Sequence, residues 1–215
     1  MTDFDAGPVK YTRHSRDDVV AAALGILDEQ GLPDLTMRRL AAKLEVQPSA
    51  LYWHFENKQT LLASVADQII GRARPASVSA GDWQGATRAE AFALRDALLA
   101  FRDSAEVVSS TLALGLGAGD AQSRLCSAIE EGGFGSETSA AAAAALLHFI
   151  LGHVSHEQQR LQADSLGVVV AAHAAHPDQA FVGAAAGVGT AEAFDFGLTL
   201  LVGGLSLQAR LNGFV

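Results

Sequence analysis

The first 70 residues carry four short apolar stripes of helical period, three of them opened by a capping residue and each separated from the next by a few residues. No other feature restricts the possible folds as strongly. Ser15 and Asp18 form a capping box, whose hydroxyl and carboxylate satisfy the orphan amides of a helix start. Val20, Ala23, Leu24 and Leu27 then recur at i, i+3, i+4 and i+7, and Gly31 supplies a stop. Leu32-Pro33-Asp34 reads as a turn, after which Thr36 caps a second stripe of Met37, Leu40, Ala41 and Leu44. A break at Glu45-Val46-Gln47 follows. Pro48 suits the first turn of a third helix, where its missing amide donor costs nothing. That helix, running to about Phe55, turns Leu51 and Phe55 inward. Asn57 caps a fourth, with Leu61, Leu62, Val65 and Ile69 on its buried side. Short helices joined this tightly describe a helix-turn-helix domain.

The pattern stops between Gly71 and Asp82, where Pro75, the serines and Gly81 mark a bend. Beyond it, helices are expected near 83–106, 121–131, 138–163 and 190–211, with glycine clusters at 115–119 and 132–135 as breaks. The stretch 138–163 would span about 39 Å at 1.5 Å per residue. Residues 164–189, rich in Ala, Val and Gly and interrupted by Pro177, have room for one weak helix. No strand alternation is found, so the expected class is all-α. The expected division is 1–72, a helix-turn-helix domain with a basic N-terminal arm, and 73–215, a larger helical body.

Charge is unevenly spread. The chain carries a net charge of −9, yet residues 1–74 hold nine Lys/Arg against ten Asp/Glu. Six basic and fourteen acidic residues fall in the remainder. Ala6 to Arg16 contains Lys10, Arg13 and Arg16 with no acid. An acidic body thus carries an end with basic segments, which points toward a polyanion at that end alone. A single cysteine, Cys126, excludes an internal disulfide and is expected to be a buried apolar filler. Met1 to Asp5 is polar and acidic and does not open an export signal. The apolar run Ala140 to Leu151 is shorter than the roughly 20 residues a bilayer needs. A cytoplasmic protein without a membrane partner is expected.

The third helix carries the polar chemistry. Gln47, Ser49, Tyr52, Trp53 and His54 offer hydrogen-bonding and stacking groups around its start and outer face. A helix this short fits a major groove roughly 12 Å wide. Arg38 and Arg39 on the second helix and Lys58 at the start of the fourth flank it, placed to hold phosphates while the third helix reads base edges. On spacing alone, a solvated face with Tyr52 and Trp53 in ordinary packing stands as the alternative.

The run Leu35-Thr-Met-Arg-Arg-Leu-Ala-Ala-Lys-Leu-Glu-Val-Gln-Pro-Ser-Ala-Leu-Tyr-Trp-His-Phe-Glu-Asn-Lys58 resembles the DNA-binding domain of the TetR family of transcriptional repressors. The resemblance implies that Arg38, Gln47, Ser49, Tyr52, Trp53 and His54 face DNA and that Lys58 meets a phosphate. Glu45 departs from the family, which usually has Gly in this turn. A non-Gly residue in a left-handed turn is strained by about 1 kcal/mol, and its carboxylate opposes DNA.

Leu98-Leu-Ala-Phe-Arg-Asp103, His148-Phe-Ile-Leu-Gly152 and Ala193-Phe-Asp-Phe-Gly-Leu-Thr-Leu-Leu-Val-Gly-Gly204 are similar to the C-terminal domain of tetracycline repressors. This implies an inducer pocket in the acidic body and dimerisation through the helices near 138–163 and 190–211. The pocket residues differ. Val108 stands where the family has a magnesium-holding His, His156 where it has a Glu, and Glu90 where it has a drug-contacting Asn. Thr111 alone is retained, so an effector other than tetracycline–magnesium is expected. Leu94, Leu98, Phe101, Thr111, Phe149, His153 and His156 are the expected effector contacts, and the apolar lining suggests a small hydrophobic molecule. Phe92, Leu112, Leu146 and Ile150 belong to the same apolar set, most of which is expected to be plain core.

The full expectation is a homodimeric, ligand-responsive repressor that leaves a palindromic DNA operator when a small-molecule effector binds, without a cofactor. Two alternatives stand beside it. His153, His156 and Glu157, at i, i+3 and i+4, have the spacing of a metal site and would make the body an all-α metal-dependent enzyme. Otherwise the chain is a DNA-binding protein without an effector. His173 and His176 form a second histidine pair. His156-Glu-Gln-Gln-Arg160 falls one ligand short of a zinc-protease motif. Gly115-Leu-Gly-Ala-Gly119 follows no strand and is no nucleotide loop, and no G-x-S-x-G elbow is present.

Overall fold

A computed structural model of the chain describes residues 14–165 and 189–211. All regular structure among the described residues is helical. The helices are α1 (Arg16–Gln30), α2 (Met37–Lys43), α3 (Pro48–Leu51), α4 (Lys58–Ile70), α5 (Trp83–Leu99), α6 (Ser104–Ala113), α7 (Gly119–Glu130), α8 (Ser136–Ser165) and α9 (Thr190–Leu211).

The expected caps are in place. Ser15 Oγ accepts the Asp18 amide at 3.1 Å, and the Ser15 amide donates to Asp18 Oδ2 at 2.8 Å. The Ser15 backbone bond, then its hydroxyl, holds the Asp18 carboxyl below its usual 3.8. Gly31 ends α1 at φ 88. Thr36 Oγ1 accepts the Arg39 amide, and Asn57 forms a capping box with Thr60 at the start of α4. Inside this head, Leu24, Leu27, Leu40, Leu51, Phe55, Leu61, Val65 and Ile69 make a continuous buried core.

Three expectations are corrected. The third helix does not reach Phe55: it is one α-turn, after which the amides of His54 and Phe55 both close on Leu51 O. The expected helix 83–106 ends at Leu99, because Asp103 takes a left-handed conformation at φ 53 and α6 starts anew at Ser104. Side chains distant in sequence stabilise that break. Leu98 O accepts bonds from Ser104 Oγ and Gln158 Nε2, and Phe101 O accepts Gln158 Nε2 at 2.7 Å. Cys126 is half-buried rather than core, with Sγ 3.7 Å from Glu130 Oε1. Burial, helped by that carboxylate, pushes its thiol above the ordinary range. The weak helix expected within 164–189, His173, His176 and most of the basic arm lie outside the described residues.

In the body, α8 packs against α5, α6, α7 and α9, and α4 of the head packs on α5, α6 and α7. Two helices, Ser136–Ser165 and Thr190–Gln208, are long and apolar enough to cross a membrane by length and composition. The first is the central helix of this bundle, so its apolarity has a packing cause. It also carries Glu157, buried in a two-bond pair with Arg95.

Candidate nucleic-acid interface

Leu51 and Phe55, each 1% exposed, anchor the α3 turn in the core of the head. Those anchors force the residues between them outward. Trp53 is 90% exposed and Tyr52 53%, while His54 is half-buried. Large aromatics are seldom left in water by a folded head with a complete core. Gln47 sits at the N-cap position but makes no side-chain capping bond, and Ser49 is exposed. All five expected groups therefore lie on or beside one protruding turn.

The flanking cations divide. Arg38 is exposed, whereas Arg39 pairs with Asp34 and Lys43 with Glu29 at 3.2 Å. Arg39, expected beside DNA, is exposed, and so is the Asp34 it pairs with. Lys58 is the first residue of the 13-residue α4, so its ammonium adds to the positive end of a helix dipole. Arg16 is the first residue of α1, as the Ser15 cap implies. Its guanidinium stacks over Phe55 at 4.7 Å and donates to Ser64 Oγ at 2.9 Å. Sequence reading missed both roles, because they join positions far apart in the chain. Glu45 takes the left-handed turn conformation at φ 55, as the departure from glycine implied.

Head and body are joined by specific contacts. Arg72 stacks over Phe101 at 4.6 Å, and the Ala118 amide donates to Asp67 Oδ1 at 2.8 Å. Gly117 lies so close to α4 that an added Cβ would sit 3.0 Å from Ala63 O.

The expected effector residues are spread over several environments. Leu94 and Leu98 are fully buried core. Thr111 is buried with its hydroxyl bonded to Val107 O and Val108 O. Phe101 is half-buried beneath Arg72. Phe149 stacks on Phe194 at 5.4 Å, and His153 meets the same ring edge-on at 5.2 Å while its Nε2 bonds Thr190 O. His156 is exposed. Glu157 is not poised for a metal: Arg95 Nη2 donates to both its oxygens at 2.8 Å, and Thr190 Oγ1 adds a third bond. Among the described residues no three metal-ligating side chains converge, so the triad behind the enzyme alternative is not assembled.

Known proteins share this architecture. Residues 19–65 match the family model for bacterial regulatory proteins of the tetR family, and residues 75–209 match the tetracyclin repressor-like C-terminal domain. The class E tetracycline repressor of Escherichia coli is 36% identical over 203 residues, 91% of this chain and 92% of that protein. The crystal structure of BioQ with its double-stranded DNA operator is 38% identical, with a TM-score of 0.70 over 90% of this chain and 99% of that one. ActR of Streptomyces coelicolor in complex with (S)-DNPA is 26% identical, with a TM-score of 0.71 over 92% and 99%. With its exposed aromatic turn, capped four-helix head and helical body, the chain belongs to the TetR family of ligand-responsive, DNA-binding transcriptional repressors.

Proposed function

We propose that the chain represses transcription as a homodimer whose heads, residues 1–72, enter successive major grooves of a near-palindromic operator. One observation carries the reading: Tyr52 and Trp53 stand exposed on a turn whose neighbours, Leu51 and Phe55, are locked in the core. Gln47, Ser49, Tyr52, Trp53 and His54 read or stack on bases, Arg38 assists, and Lys58 holds a phosphate. Dimerisation uses α8 and α9. Phe196, Leu200 and Leu207 of α9 are 59–65% exposed, and Ala141, Ala145 and Gly152 of α8 are exposed too. Half-sites then lie about one helical turn or more apart, roughly 34 Å. BioQ with its operator supports the DNA partner, and ActR with its ligand supports an effector.

The body, residues 73–215, receives a small effector and shifts the spacing of the heads. Free energy of coupling for such systems is typically about 1–3 kcal/mol. The chain acts in the cytoplasm, where its DNA is, and catalyses nothing. Its acidic body repels DNA and confines binding to the heads.

Selection of bound sequences from a random double-stranded DNA pool, at two salt concentrations, tests the reading. An enriched palindrome supports a dimeric, sequence-specific regulator. Weak, salt-sensitive binding with no enriched sequence sinks it.

A further inference from the structure

The segment 45–54 carries all five groups proposed to read bases, and its own helix is short. α3 is a single α-turn, and helices of that length are marginal by themselves. Glu45, which opens the segment, lies in the left-handed region at φ 55. Leu51 and Phe55 fix how deeply the turn sits in the head. Its direction depends on what grips its two ends.

Both ends are gripped from the start of α1. At the first, the imidazole Nε2–H of half-buried His14 donates to Leu44 O at 3.0 Å. Leu44 is the C-cap of α2, where carbonyls have no donor within the helix. At the second, the Arg16 guanidinium lies 4.7 Å from the centre of the Phe55 ring, a cation over an aromatic face. The same guanidinium donates to Ser64 Oγ of α4 at 2.9 Å. His14 and Arg16 are the two chain neighbours of Ser15, whose capping box with Asp18 fixes the backbone between them. One capped helix start therefore holds both flanks of the segment, Leu44 and Phe55. Neither contact uses a group proposed to touch DNA.

We propose that His14 and Arg16 are positioning residues for DNA reading, which aim the segment 45–54 at the groove without contacting bases themselves. The proposal rests on the regulator reading above. A contact that aims a reading turn acts on preference among sequences. A cation on a phosphate instead acts on all sequences alike and on the salt dependence.

His14→Phe, His14→Gln, Arg16→Met and Arg16→Lys are made in the full chain and titrated against the selected and a scrambled duplex over a range of salt. The temperature is one at which circular dichroism shows each variant folded. His14→Phe keeps a ring without the N–H, and Arg16→Met keeps a stem without the guanidinium. Each is expected to lower the ratio of selected to scrambled affinity about tenfold, the scale of one misplaced base contact, with the salt slope unchanged. Gln carries an N–H for the Leu44 carbonyl, so His14→Gln is expected to recover most of the loss. Arg16→Lys keeps the charge but not the planar stack, and is expected to lose most of the ratio as well.

An unchanged ratio in His14→Phe and Arg16→Met overturns the proposal. So does an equal loss on both duplexes, or a His14→Gln variant as weak as His14→Phe. A slope flatter by about one phosphate in Arg16→Met, restored in Arg16→Lys, also overturns it, since Arg16 is then a phosphate contact. Should His14→Phe or Arg16→Met fail to fold, Arg16→Lys carries the test, and a retained ratio there overturns the proposal. A preferred sequence that every variant keeps rejects this assignment alone; absence of any preferred sequence in the unmutated chain rejects the regulator reading and this assignment with it.

Discussion

Asp103 Oδ2 accepts the backbone amide of Leu32 at 2.8 Å, and this bond ties the turn after α1 to the start of α6. The other carboxylate oxygen accepts Gln162 Nε2 at 2.6 Å, so the same side chain also reaches the end of α8. Gly31 makes the approach feasible: a Cβ there would stand 2.8 Å from Asp103 Oδ2, at a φ of +88. Asp103→Ala removes both bonds and leaves a residue without a polar side chain in the left-handed region. A loss of about 2–3 kcal/mol is expected, read as a lower midpoint in urea denaturation. DNA affinity is expected to fall with it, because the head loses a fixed orientation on the body.

Trp53→Ala and Lys58→Ala separate base reading from phosphate holding. Trp53 is 90% exposed, so its removal is expected to change stability by less than about 0.5 kcal/mol. Affinity for the selected DNA is expected to fall by about 1–3 kcal/mol, with weaker discrimination among sequences. Lys58→Ala is expected to weaken all sequences alike and to flatten the salt dependence by about one phosphate. Titrations of both variants against selected and scrambled duplexes check this. A change of preferred sequence in Lys58→Ala would contradict its assignment to the backbone.

Glu45→Gly exchanges a strained left-handed residue for one that adopts the conformation freely. Relief of strain outweighs the added chain entropy, and a gain of up to about 1 kcal/mol is expected. Removing a carboxylate from the turn between α2 and α3 also strengthens DNA binding at low salt. Thermal melts and a low-salt binding isotherm read the two effects separately. Unchanged affinity would place Glu45 away from the phosphates.

Glu157→Ala leaves Arg95 charged and buried with only the exposed Asp96, 3.6 Å from its Nη1, as a counter-charge. Breaking a buried pair from one side typically costs about 3–5 kcal/mol, and denaturation of the variant measures it. The double variant Arg95→Met, Glu157→Leu is expected to recover most of that loss, since no uncompensated charge remains. If a divalent metal stabilised the unmutated protein through Glu157, chelation would lower its melting point. The satisfied geometry predicts no such shift.

Much of the head was legible from the sequence, because its information is local. Ser15, Gly31, Thr36, Pro48 and Asn57 act on backbone groups within a few residues of themselves, so caps and helix starts follow from adjacency. Period 3.6 likewise identified Leu51 and Phe55 as inward, which leaves Tyr52 and Trp53 facing water. The all-α class and the family resemblance rest on the same short-range patterns. Tertiary structure decided what depends on residues distant in the chain. The break between α5 and α6 is held by Gln158 of α8, and Arg16 stacks on Phe55 of the turn that follows α3. Glu157 had the helical spacing of a metal ligand, yet Arg95, 62 residues away, takes both its oxygens. Spacing along one helix states which side chains share a face. Only packing states what the neighbouring helix places opposite them, and a charged group's role is set by that partner.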